Sequence, residues 1–149
     1  MGSLTGKRAL VTGGGQGIGK AIAEGLLRAG CDVAVHYFSD KDGAGEVAGY
    51  AQSVGRRAQS FQADLTREGS AVALVKQAAE FLGGLDVLIN NSGGLIARRQ
   101  LGQVDLAFWQ TVIDVNMTSM MLVTREAAPH LAKANGSVHQ ISGFRLSPE

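Results

Sequence analysis

Thr12-Gly13-Gly14-Gly15-Gln16-Gly17-Ile18-Gly19-Lys20 is the stretch on which the reading of this chain turns. Before it lies Arg8-Ala9-Leu10-Val11-Thr12, a short apolar run that reads as a buried strand. After it, Ile18, Ile22, Leu26 and Ala29 recur at helical spacing, and Gly30 stands where a C-terminal glycine cap belongs. Glycines between a strand and a helix let the backbone turn sharply and approach a ligand closely. The helix start supplies unpaired N–H groups and the positive end of the dipole, which suit a phosphate. The alternative is a tight turn with no ligand, and the number of glycines argues against it.

The same alternation continues along the chain. Val33 to Phe38 reads as a second strand, with Ser39 and Asp40 able to cap a helix from Lys41 to Val54. Gly43, Gly45 and Gly49 weaken that helix, each by about 1 kcal/mol against alanine. Arg57 to Gln62 is a third strand, followed by a helix from Thr66 to Leu82 that Gly83-Gly84 ends. Leu85 to Asn90 is a fourth strand, and Asn91 to Gly102 a loop. A long helix is expected from Asp105 to Lys133, then a turn at Asn135-Gly136 and a fifth strand from Ser137 to Ile141. Phe108, Trp109, Met117, Met120, Met121 and Leu122 are expected to form the buried face of the long helix. Strands alternating with helices predict an α/β fold: a Rossmann-type, doubly wound parallel sheet of about five strands, spanning residues 1–149 as one dinucleotide-binding domain. Ligands on such sheets bind beyond the carboxyl ends of the strands.

Composition narrows the function. The chain has 149 residues, enough for one domain, and 21 glycines, about twice the average share. Fourteen basic and 13 acidic side chains give a net charge of +1, so no nucleic-acid partner is expected. The single Cys31 excludes an intrachain disulfide and a multi-cysteine zinc site. His36, His130 and His139 are scattered, and no metal site is read from them. No apolar run has the length of a membrane span, and the first residues lack the order of a secretory signal, so a cytoplasmic setting is expected.

Two phosphate motifs compete at the glycine turn. Gly14, Gly19 and Lys20 fit the P-loop pattern G-x-x-x-x-G-K, but Ala21 stands where a hydroxyl should meet magnesium, which disfavours a nucleoside triphosphatase. The pattern that fits is T-G-x-x-x-G-x-G, on Thr12, Gly13, Gly17 and Gly19. With it come Asp64 after the third strand, Asn90-Asn91-Ser92-Gly93 after the fourth, Asn116 within Val115-Asn116-Met117-Thr118, and Gly136-Ser137-Val138-His139-Gln140-Ile141-Ser142. In that order these segments resemble the short-chain dehydrogenase/reductase family, nearest its 3-oxoacyl carrier-protein reductase-like branch. Ser92 departs from the family's N-N-A-G.

The resemblance implies a set of roles. Thr12, Gly13, Gly15, Gln16, Gly17, Ile18 and Gly19 would hold a dinucleotide. Asp64, with Leu65, would meet the adenine; a helix N-cap is the other reading of Asp64. Asn91, Ser92 and Gly93 would line the ribose side, or simply form a turn. Tyr37 occupies the position of the family's acidic ribose-binding residue, and Ser39 lies beside it. The missing carboxylate leans the cofactor to NADP over NAD. Asn116 would open its helix and hold a water in a proton relay; a solvated surface asparagine is the alternative. Arg98-Arg99 reads as a solvated loop pair or a phosphate contact.

The family's reaction is hydride transfer between nicotinamide and a carbonyl or alcohol carbon of a small molecule, with a Tyr-x-x-x-Lys pair and a serine as acid/base machinery. The family's pair lies downstream of the serine; here the tyrosines are Tyr37 and Tyr50, both in the cofactor half, and the Tyr-x-x-x-Lys spacing occurs only at Tyr37-Phe38-Ser39-Asp40-Lys41, after the second strand. Counting from Gly136, the serine position falls on Gly143, with Ser142 one residue early; Ser142 is the candidate if the register shifts at the strand end. The resemblance therefore implies the cofactor-binding portion of an oxidoreductase, truncated before the sixth and seventh strands. The 149 residues alone are expected to be inactive. An exposed last strand and the family's helix-mediated subunit contacts lead us to expect a homo-oligomer. The alternative is a noncatalytic nucleotide-binding or interaction module.

Overall fold

A computed structural model describes residues 4–141. Five strands form one sheet: β1 (Arg8–Val11), β2 (Asp32–Tyr37), β3 (Ala58–Gln62), β4 (Val87–Asn90) and β5 (Ser137–Gln140). Their order is β3-β2-β1-β4-β5, and every neighbouring pair is parallel. This is the predicted Rossmann-type sheet. The chain winds outward from β1 to β3, then crosses back to β4 on the other side of β1. That reversal puts the topological switch point between the carboxyl ends of β1 and β4.

Alternation along the strands sorts the core into two layers. Ala9 and Val11 of β1 and Val33 and Val35 of β2 face one way, against Ala23 and Leu27 of α1 (Gly17–Arg28) and Val47 and Ala51 of α2 (Lys41–Ser53). Leu10, Ala34 and Leu88 face the other way. They meet Leu74, Val75 and Leu82 of α3 (Glu68–Leu82) and Leu122, Val123 and Leu131 of α5 (Ser119–Ala134). Both faces of the inner strands are covered, which is why they read as continuous apolar runs.

Helix ends follow their caps. Asp40 accepts a hydrogen bond from the Gly43 amide at 3.0 Å, as a capping side chain should. Gly43 has no room for a side chain, because its Cβ would collide with the Gly15 carbonyl oxygen. The glycine that weakens α2 thus lets α2 press against the glycine turn. Gly30 (φ +102°) and Gly83 (φ +75°) close α1 and α3 as predicted.

Three expectations need correction. First, α3 begins at Glu68 and not at Thr66. The Thr66 amide donates to the Asp64 carboxylate at 3.0 Å, which holds Thr66 in a turn. Second, the long helix is present but not regular. Asp105 caps α4 (Leu106–Ile113) through the Phe108 amide at 2.7 Å, and a π-helical turn at Asp114–Thr118 separates α4 from α5. Third, its apolar side chains are not one buried face. Leu122 is buried, but Trp109 is 55% exposed, Met117 55% and Met121 48%. Only one stripe of a helix can face the sheet, and these residues project from the opposite side.

Candidate functional site

The carboxyl ends of the strands enclose a cleft of about 540 Å³. Its walls are the glycine turn (Gly13, Gly15, Gln16, Ile18), the end of β2 (His36, Tyr37, Phe38, Ser39, Asp40), the end of β3 (Ala63, Asp64, Leu65, Thr66), the loop after β4 (Asn91, Ser92, Gly93, Ile96), and Val115 and Ser119. Thr12, Gly17 and Gly19 stand behind or beside this wall and shape it.

The glycine turn is built by close approach. Gly13 (φ +62°) and Gly17 (φ +52°) occupy left-handed backbone that disfavours other residues. A Cβ on Gly19 would collide with the Gly13 carbonyl oxygen and the Asn91 amide nitrogen. Asn91 Nδ2 donates to the carbonyls of Thr12 (3.2 Å) and Gly13 (3.0 Å). The Thr12 hydroxyl accepts from the Asn91 and Ser92 amides, both at 3.0 Å. Turn and post-β4 loop are therefore one hydrogen-bonded unit. The α1 start is open: Gln16 makes no side-chain cap bond, and no acidic residue stands in the first turn. Its N–H groups and dipole suit an anion.

Lys20 does not point to a phosphate. It forms an ion pair with Glu46 of α2, which removes the central cation of the P-loop reading. Arg99 is likewise occupied: its guanidinium stacks on Phe108 at 4.2 Å and lies 4.0 Å from Asp105.

Asp64 holds the turn after β3. It accepts from the Thr66 amide (3.0 Å) and hydroxyl (2.6 Å) and lies 3.4 Å from Arg67. The Thr66 hydroxyl, with help from Arg67, keeps its carboxyl below the usual range. Asp64 thus holds a turn ahead of α3, whose N-cap position is Arg67 and not Asp64, and presents a carboxylate at the cleft wall.

Asn116 sits in the π-helical turn, where the ordinary ladder is broken. Its Oδ1 accepts from the Gly94 amide at 2.8 Å, and its Nδ2 donates to Gly94 O (3.1 Å) and Val112 O (3.0 Å). It is not the solvated surface residue of the alternative reading. It clamps the post-β4 loop to the helix. Ser142 and the neighbouring Gly143 lie outside the described residues.

Sequence reasoning missed one member of the site. His36 reads in the sequence as a scattered histidine, yet it is 2% exposed and lines the cleft. Its Nδ1 accepts from the Gly13 amide at 3.1 Å and lies 3.3 Å from the Ser92 hydroxyl; its Nε2 lies 3.0 Å from the Ala63 carbonyl. An acceptor at Nδ1 requires the proton on Nε2, which then donates to Ala63. Burial pushes the imidazole pKa down. The available signal was the pairing of His36 at a strand end with Ser92 where the family pattern has alanine.

Among the described residues no helix is long and apolar enough to cross a membrane, and no group of three or more His, Cys, Asp or Glu is arranged to hold a metal.

Comparison with known proteins agrees with this geometry. A family model described as short chain dehydrogenase matches residues 7–144. Glucose 1-dehydrogenase 2 of Bacillus subtilis is 43% identical over 141 residues, covering 93% of this chain and 55% of that protein. Cis-4-hydroxycyclohexanecarboxylate dehydrogenase of Sinomonas cyclohexanicum is 35% identical over 137 residues, or 91% of this chain and 54% of that protein. The chain thus spans about half the length of the curated relatives it matches. Among solved structures, an NADH-dependent reductase from alginate metabolism, complexed with NAD, superposes with a TM-score of 0.86 at 38% identity, covering 92% of this chain and 59% of that one. A short chain dehydrogenase from Burkholderia cenocepacia in complex with NADP gives 0.82 at 38% identity, covering 87% and 53%.

Proposed function

The chain belongs to the short-chain dehydrogenase family, and on that premise we propose that its cleft binds a nicotinamide dinucleotide for an NAD(P)-dependent oxidoreductase. The observation that carries this reading is the fused glycine turn. Gly19 lies so close under the Gly13 carbonyl that no side chain fits, and the α1 start is left uncapped toward the cleft. That arrangement fits a pyrophosphate. The walls at the ends of β2 and β3 fit an adenosine, with Asp64 as acceptor for its amino group and Leu65 as apolar support.

The residues after β2 support NADP over NAD. Tyr37 offers no carboxylate, and the Asp40 carboxylate is occupied by the Gly43 amide. Gln16 and Ser39 are exposed polar groups at that end of the cleft, with exposed Lys41 next in sequence. A 2′-phosphate would meet no fixed negative charge from Tyr37 or Ser39.

When bound, the dinucleotide would exchange a hydride with a carbonyl or alcohol carbon of a small-molecule substrate. The chain's own residues do the preparatory work. Thr12 and Asn91 fix the turn to the loop, Ser92 and Gly93 edge the ribose side, and Asn116 holds Gly94 so that the loop keeps its path. Asn116 and Ser142 remain our candidates for the proton-handling side of the site. Within residues 1–149 the Tyr-x-x-x-Lys spacing occurs only at Tyr37 and Lys41, at the end of β2 and not after the serine position, so we expect these residues, as a single nucleotide-binding domain, to bind without turnover. The exposed Trp109, Met117 and Met121 favour self-association, and the buried free thiol of Cys31 suits a cytoplasmic setting.

Calorimetric titration of the 149-residue chain with NADPH, NADH and magnesium-ATP tests the reading. NADPH should bind most tightly, NADH more weakly, and magnesium-ATP least. Tight magnesium-dependent ATP binding would overturn it. Steady NADPH-dependent reduction of a carbonyl would overturn the expectation of no turnover.

A further inference from the structure

We propose that His36 is a positioning residue for nucleotide binding: held neutral with its proton on Nε2, it locks the glycine turn and the post-β4 loop to the end of β3. The inference rests on the nucleotide-binding reading above and names a proton-dependent control of that site.

Three segments meet on this one ring. The glycine turn presents the Gly13 N–H to Nδ1 at 3.1 Å. The post-β4 loop brings the Ser92 hydroxyl to the same nitrogen at 3.3 Å. The β3 end offers the Ala63 carbonyl to Nε2 at 3.0 Å. Among the described residues the Gly13 amide has no other acceptor. A buried N–H left without a partner is costly, so the acceptor at Nδ1 decides where Gly13 sits. Gly13 in turn carries the carbonyl that accepts from Asn91 and packs over Gly19. Displacing it disturbs the path by which the turn reaches α1.

Protonation of Nδ1 would convert the acceptor into a donor facing the Gly13 N–H. Donor against donor cannot be satisfied, and the turn must move. The groups around the ring do not offset the new charge. Gly13 and Gly14 from the turn, and Asn91 and Ser92 from the loop, carry none. Asp40 of the α2 cap and Asp64 beyond β3 keep their charge, but they bond to Gly43 and to Thr66 and Arg67, and neither bonds to the ring. Tyr37, next in β2, shares the cleft wall. Burial of the ring, which lowers its pKa, acts in the same direction.

The test combines nitrogen-15 NMR of the free chain with NADPH and NADH titrations from pH 8 to pH 5. Wild type should show an unprotonated Nδ1 and a protonated Nε2 at neutral pH, and the Gly13 and Ser92 amide signals should shift together as His36 titrates. Affinity should fall as His36 protonates, with a limiting slope of about tenfold per pH unit for one proton. His36→Asn keeps an acceptor near the Nδ1 position. It should bind between wild type and His36→Gln, with a flat pH profile. His36→Gln keeps only the reach to Ala63 and should bind weakest. A proton on Nδ1 at neutral pH, or the same acid fall-off in wild type and His36→Asn, overturns the role of His36. Failure of wild type to bind either dinucleotide at pH 8 instead overturns the function on which the role rests. The NMR arm uses wild type alone, so the proposal stays testable if a variant fails to fold.

Discussion

Replacing Gly19 by alanine is the most direct test of how the site is built. An added Cβ would collide with the Gly13 carbonyl oxygen and with Asn91 Nδ2, neither of which is a free chain end. The carbonyl belongs to the turn, and Asn91 is fixed by its bonds to Thr12 O at 3.2 Å and Gly13 O at 3.0 Å. Overpacking of this kind costs about 1–3 kcal/mol. Loss or stretching of the two Asn91 bonds adds about 0.5–1.5 kcal/mol each. Alanine recovers up to about 1 kcal/mol of helix propensity, because Gly19 is in the first turn of α1. The net expectation is a loss of about 1–6 kcal/mol. With a urea m-value of about 2 kcal/mol/M, the midpoint should fall by about 0.5–3 M. Two controls isolate the cause. Gly17→Ala has open space but must adopt φ +52°, and should cost about 1–2 kcal/mol. Gly25→Ala lies inside α1 with nothing nearby and should stabilise by about 0.5–1 kcal/mol. Urea unfolding followed by circular dichroism measures all three. If Gly19→Ala were no worse than Gly25→Ala, the close approach on which the turn depends would be refuted.

Other outcomes follow from the hydrogen-bond pattern. Thr12→Val should cost about 2–4 kcal/mol, because it leaves the Asn91 and Ser92 amides without their acceptor, while Thr12→Ser should be near neutral; equal urea midpoints for the two would contradict the clamp. Asn116→Ala should cost about 1–2 kcal/mol and speed hydrogen exchange at the Gly94 amide above all others, which NMR would detect. Asp86→Asn should cost about 1–3 kcal/mol at pH 7, since Asp86 accepts from Arg8 Nε at 2.6 Å and from its amide at 3.0 Å. The hydrogen bond from Arg8 holds the Asp86 carboxyl below its usual range, so its stabilisation is complete above about pH 4 and is lost as pH falls through the lowered value; the wild-type advantage over Asp86→Asn in urea should shrink at pH 2, and an unchanged gap would count against the pair. Below about pH 6.5 a further decline should come from His36, whose pKa is lowered by burial and whose neutral form the fold requires; His36→Asn should lack that component.

Much of this was legible because it is periodic or local. The apolar run Arg8–Val11 followed by glycines and then by Ile18, Ile22 and Leu26 contains a change of period at a turn, which marks a strand entering a helix. Gly30 and Gly83 end helices for a local reason, their left-handed backbone. One miss was local, and the others depended on neighbours distant in sequence. The helix expected from Thr66 starts later because the Asp64 carboxylate takes the Thr66 amide first. Trp109, Met117 and Met121 have the chemistry of core residues, and hydrophobicity does not say which side of a helix the sheet will cover. Asn116 showed itself as a poor helix former, but its bond to Gly94 joins residues 22 apart. His36 had no local signature at all. Its partners Gly13, Ala63 and Ser92 come from three different segments, which only the sheet order brings together.

The two ends of the sheet explain why charge is handled differently at each. At the amino ends of the strands lies a second cavity of about 470 Å³, lined by Arg8, Lys76, His130 and Lys133 with Glu80. Its cations resemble an anion site, yet α3 and α5 both terminate there and present the negative ends of their dipoles. Helix α3 has no basic residue in its last turn, and Arg8 of β1 supplies one across the fold: its Nη1 donates to the Gly83 carbonyl at 2.6 Å. Helix α5 carries its own, Lys133. Arg8 and Lys133 thus complete helix ends. At the carboxyl ends the arrangement is reversed. Helix α1 begins at the cleft with no side-chain cap and no acidic first turn, and its neighbour Lys20 is turned away to Glu46. The positive end left unanswered by the protein is therefore at the glycine turn. The fold itself directs an anionic ligand to that end of the sheet, without any net charge on the chain beyond +1.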